Sequence, residues 1–61
     1  MNKYRVFISE THPIVIVEAS HVDLHRDGSR VFYEREIEKR GELCDHIVAV
    51  YPSTVIVELI P

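Results

Sequence analysis

Three apolar runs dominate the pattern of this chain: Ile14-Val15-Ile16-Val17, Ile47-Val48-Ala49-Val50-Tyr51 and Val55-Ile56-Val57. Each is continuous and rich in β-branched residues, which lose rotamer freedom in a helix and fit a pleated strand. A strand with one wet face alternates apolar and polar residues, so an unbroken run means that both faces are covered. The runs predict strands, and more two-sided apolar surface than a short chain covers alone.

The spacing elsewhere completes the set. Residues 3–9 predict a strand with Tyr4, Val6 and Ile8 on one face and Arg5, Phe7 and Ser9 on the other. Glu10 to Pro13 reads as a turn. Residues 14–25 predict one long strand in which Val15, Val17 and Ala19 share a phase. Val22 and Leu24 are one position out, so a bulge or bend near Ser20-His21 is expected to restore it. Arg26-Asp27-Gly28-Ser29 predicts a hairpin closed by a type I′ turn. Strands over 30–38, 43–51 and 55–60 follow, separated by Lys39-Arg40-Gly41-Glu42 and Pro52-Ser53-Thr54. Glu34 to Cys44 also has helical spacing in Glu34/Glu38 and Arg35/Lys39, against which stand Gly41 and a lack of apolar anchors.

The expectation is an all-β fold, a single domain over 1–61, built as a five-stranded antiparallel meander or small partly closed barrel. The expected core is Val6, Ile8, Val15, Val17, Ala19, Val22, Leu24, Val31, Tyr33, Ile47, Ala49, Val55 and Val57.

Size sharpens the argument about uncovered faces. A domain of 61 residues buries only about 60% of its unfolded surface and is marginal alone. One cysteine, Cys44, forms no internal disulfide. Oligomerisation is then the expected remedy. No long apolar stretch follows Met1-Asn2-Lys3-Tyr4, and none approaches the length of a membrane span, so a cytoplasmic chain without leader or membrane anchor is expected. A net charge of −3 disfavours a general nucleic-acid binder, which carries a basic excess.

Candidate chemistry is sparse. His21, Asp23 and His25 fall on one strand face and are metal-type donors, but the outer two stand roughly 13 Å apart on a straight strand. A solvated face is the favoured reading, and no metal or cofactor is expected. Cys44 and His46 share a face with Val48 and Val50 in this reading, which makes Cys44 a small apolar residue rather than a nucleophile. Lys3, Arg5 and Arg30 beside Tyr4, Phe7 and Phe32 resemble a stacking platform, with few cations to support it. No nucleophile–base–orienter set or phosphate-binding loop is present, so an enzyme is not expected.

Val17-Glu18-Ala19, Val22, Leu24, Asp27-Gly28, Val31-Phe32-Tyr33 and Val48-Ala49-Val50-Tyr51-Pro52 together resemble short bacterial and phage hypothetical proteins with a β-meander pattern. The chain departs from that pattern in the charged stretch Glu34–Asp45 and in the apolar end Val55–Ile60. The resemblance implies a small β module, a phage or mobile-element accessory protein, and transfers no catalytic residue.

The functional expectation is a non-enzymatic protein–protein interaction module that forms a homo-oligomer and binds a further protein. Its self-association interface is expected to use Ile14, Ile16, Val48, Val50, Ile56 and Ile60, with strand 55–60 pairing across a two-fold axis. Glu34, Arg35, Glu36, Glu38, Lys39 and Arg40 form the candidate partner-binding hairpin. The alternative is a nucleotide- or nucleic-acid-binding regulator contacting its ligand through Arg5, Arg26 and Arg30.

Overall fold

The computed structural model describes residues 1–38 and 40–61. Among these residues there are six strands: β1 (Asn2–Phe7), β2 (Val15–Ala19), β3 (His21–Leu24), β4 (Arg30–Ile37), β5 (Leu43–Tyr51) and β6 (Ile56–Ile60). They form two three-stranded antiparallel sheets, the first ordered β2-β1-β6 and the second β3-β4-β5. The described residues contain no helix, so Glu34 to Cys44 is strand and turn wherever it is described.

Six strands replace the expected five because residues 14–25 are cut at Ser20. Its N–H donates to the Tyr33 carbonyl at 2.7 Å. Its Oγ accepts the Arg35 N–H at 2.9 Å, and the Asn2 side-chain amide donates to its carbonyl at 3.1 Å. The polar groups of the corner are thus satisfied by β4 and Asn2, and the chain passes from one sheet to the other. The slip of phase between Ala19 and Val22 is the sequence mark of this corner.

The strands form neither a pure meander nor a closed barrel. Val55 N–H donates to the Pro52 carbonyl at 3.3 Å, and the chain turns away from β5. β6 then pairs with β1, setting Val57 against Val6 and Leu59 against Tyr4. The second sheet keeps the meander order, and the described sheets stay open at their edges.

The hairpin at Asp27-Gly28 is present, with a different turn. Gly28 N–H donates to the His25 carbonyl and His25 N–H to the Ser29 carbonyl, both at 2.9 Å. Gly28 has φ of 90°, and no non-glycine residue among those described has positive φ. A type I′ turn needs positive φ at both central residues; Asp27 does not supply it. The loop is instead a three-residue one, a turn followed by a left-handed glycine. Asp27 Oδ1 accepts both the Ser29 N–H at 2.9 Å and the Ser29 hydroxyl at 2.7 Å, which stabilises this alternative.

The core lies between the sheets. Tyr4, Val6, Val17, Ala19, Phe32 and Val55 form it, with Ile8, Val15, Val22, Ala49, Tyr51 and Val57 packed around them. Phe32 is fully buried, and its ring meets Tyr4 edge-on at 5.3 Å and Tyr51 at 5.8 Å. One aromatic from the first sheet and two from the second therefore join the sheets, a geometry aromatic quadrupoles favour. Three core expectations fail. Leu24 and Ile47 are exposed, and Tyr33 is half-buried. In the run Val31-Phe32-Tyr33 the central residue takes the inward phase, so its neighbours face away from the cluster. Val31 is nonetheless buried.

Candidate functional site

The outer face of the first sheet is set by its register. Lys3, Arg5 and Phe7 of β1 stand opposite Glu18 and Ile16 of β2 and opposite Ile60, Glu58 and Ile56 of β6. Directly opposed residues share a face. Arg5 donates to Glu58 Oε1, and Lys3 lies 3.6 Å from Glu18. The charges on this face are therefore paired across strands, and Ile16 and Ile56 are left exposed around them. At one end, Phe7, Ile8, Ser9, Glu10, Thr54 and Ile56 line a cleft of about 310 Å³.

Of the six residues expected at the interface, Ile16, Ile56 and Ile60 lie on this outer face, and exposed Ile14 precedes Ile16 by two positions. Val48 and Val50 lie on the second sheet. Both are exposed, but the structure does not gather them with the others. An irregularity between Phe32 and Tyr33 pairs Phe32 with Ala49 and Tyr33 with Ile47, so Val48 is an extra residue. The extra residue also reverses the phase of β5. Cys44 and His46 share the face of Ala49 and Tyr51, and the expected alignment of Cys44 and His46 with Val50 is broken.

The hairpin of β4 and β5 carries the charged candidates. Arg35 Nε donates to Asp45 Oδ1 at 3.1 Å, which holds the Asp45 carboxyl below its ordinary range. His46 Nε2 lies 3.6 Å from Glu36, and Glu34 stands opposite His46. The Cys44 thiol donates to Glu38 Oε1 at 2.9 Å. That hydrogen bond, with smaller contributions from desolvation and Asp45, pushes the thiol pKa up. A protonated thiol is a poor nucleophile. Arg40 is exposed, and Lys39 lies outside the described residues. Ile37 and Leu43 oppose one another at the far end of this hairpin and are exposed, a pair absent from the expected interface.

His21, Asp23 and His25 do share a face, as the alternation of a strand requires. The ring of His21 stacks on Tyr33 at 5.0 Å and its Nε2 lies 3.9 Å from Asp23. His25 Nε2 instead reaches the Tyr33 hydroxyl at 3.1 Å. Each histidine thus has its own partner. Among the described residues no group of three or more His, Cys, Asp or Glu side chains is placed to hold a metal ion.

The three candidate ligand arginines are dispersed. Arg5 is on the first sheet and bound to Glu58. Arg30, half-buried on the second sheet, donates to the Gly28 carbonyl at 2.9 Å. Arg26 is exposed on the β3–β4 turn.

Leu59 is an apolar residue the pattern reading passed over. It stands on the core face opposite Tyr4, yet it is 57% exposed where Tyr4 is 6%. It follows Glu58 in phase with the core residues Val55 and Val57, and its exposure arises because β6 has no neighbour on its far side. Among the described residues no helix is long and apolar enough to cross a membrane. Comparison with family models, curated proteins and solved structures returns no match.

Proposed function

We propose that this chain is a non-enzymatic interaction module that self-associates through the β6 side of its first sheet. The observation that carries the reading is uncovered apolar surface. Seven hydrophobic residues are buried among those described, whereas eleven large ones are exposed. The accessible surface is 4758 Å². A folded monomer of 7.1 kDa ordinarily exposes roughly 4,100 Å². The excess, roughly 650 Å², approaches the ~800 Å² that each partner contributes to a standard interface.

A second copy suits this surface because its charges are already neutralised within the chain. Arg5–Glu58 and Lys3–Glu18 pair on the outer face, so an approaching copy meets isoleucines and paired charges rather than a field of one sign. The test is the dependence of thermal stability on concentration. Association of native chains raises Tm as chain concentration rises. A Tm invariant over a hundred-fold range of concentration contradicts the reading.

A further inference from the structure

Both sheets of the described structure end in strands with an unpaired side, and these strands are not equivalent. β2 is tied into the second sheet at its end, where Ser20 bonds to β4. β3 has only four residues, one of them Asp23. β5 carries the extra residue Val48 and the charges of Asp45 and His46. Bulges, charges and shortness are the devices by which edge strands avoid pairing with other chains. β6 has no bulge and no free charge. Its five residues keep unbroken register with β1. Four of them are apolar, and the single charge, Glu58, is held by Arg5.

We infer that β6 pairs antiparallel with β6 of a second copy, centred on Leu59, to make one continuous six-stranded sheet. The inference rests on the self-association reading and names the strand and register that reading leaves open. A two-fold axis perpendicular to the sheet sets one residue opposite itself. Centring on Glu58 opposes two carboxylates, and like charges directly opposite are destabilising. Centring on Val57 turns Leu59 onto Val55, which is buried and whose N–H is already given to Pro52. Centring on Leu59 opposes two leucines and sets Glu58 against Ile60. It also covers the core-face side chain that the single chain leaves open. The unpaired N–H and C=O groups of β6 around Leu59 gain partners in the same step.

Cysteine cross-linking tests the register. Leu59→Cys and Glu58→Cys are each made in a Cys44→Ser parent and oxidised with oxidised glutathione. Opposed residues have Cα atoms about 4.5–5.5 Å apart, inside the roughly 4.4–6.8 Å that disulfides span. The Cα atoms of the two position-58 residues lie on a diagonal, roughly 7–8 Å apart, beyond that span. The expected result is a Leu59→Cys band at twice the 7.1 kDa chain mass, with Glu58→Cys remaining at the chain mass, from a parent that sediments as a dimer. A dimeric parent in which Leu59→Cys fails to cross-link, or Glu58→Cys cross-links as well, overturns the pairing and leaves self-association standing. A monomeric parent overturns both.

Discussion

Phe32 is fully buried and touches rings from both sheets, so its truncation removes the contact that joins them. Phe32→Ala is expected to cost about 3–5 kcal/mol, a large share of the stability of so small a domain, and chemical denaturation measures it. Gly28 is sensitive for another reason. A Cβ there would lie 2.7 Å from Ser53 Cβ, and φ is 90°, in the region L side chains avoid. Gly28→Ala is expected to destabilise by about 1–3 kcal/mol, whereas Gly41→Ala, where nothing lies within 4 Å of the added carbon, loses only the backbone cost. Asp27 is held below the ordinary aspartate range, first by the Ser29 hydroxyl and next by the Ser29 N–H. Because its folded value is depressed, its contribution to stability is present above the unfolded value and is lost as pH falls through the folded one. Ser29→Ala is expected to raise the Asp27 midpoint in an NMR titration; an unchanged midpoint contradicts the hydrogen-bond cause.

At the scale of elements, the Ser20 corner and the free edge of β6 set the arrangement. Ser20→Ala removes the acceptor for the Arg35 N–H and is expected to cost about 0.5–1.5 kcal/mol in denaturation midpoints. Along β6, Ile60 stands opposite Lys3 within the chain and, in the inferred pairing, opposite Glu58 of the second copy. Ile60→Glu therefore gains a partner for folding and a like charge for association. Its dimer dissociation constant is expected to exceed that of Ile60→Gln by roughly two- to thirty-fold, since two cross-strand pairs are affected; equal constants contradict the register. Much of this level was legible in the pattern. The strand over 43–51, the phase slip at Ser20 and the inward faces of Val6, Val17 and Ala19 follow from period-two alternation and need no long-range knowledge. The pairing of β6 with β1 does not, because alternation says which way side chains point and not which strand lies alongside. The Val48 irregularity is hidden for a related reason. It sits inside a run that is apolar in either phase, so the pattern carries no mark of the reversal: Val50 faces outward as expected, whereas Ile47, expected in the core, and Cys44 and His46, expected beside Val50, lie on the opposite faces. Arg5 illustrates the same limit at the candidate site. As a residue type it suits a ligand, but its engagement by Glu58 arises from a register between the two ends of the chain.

For the whole molecule, the extents of 44 × 26 × 16 Å describe a thin, elongated body, and thinness is why so much apolar surface stays open. A sheet pair only one core layer thick cannot bury both faces of its strands. The exposed isoleucines and Leu59 are then a property of the architecture, and a second copy along β6 is the simplest cover for Leu59 at that edge. Sedimentation equilibrium over a wide range of chain concentration measures this directly. A mass of twice 7.1 kDa is expected at high concentration, falling to the chain mass on dilution. A constant chain mass throughout would contradict it, and would mean that these strands hold their fold with their apolar faces in water.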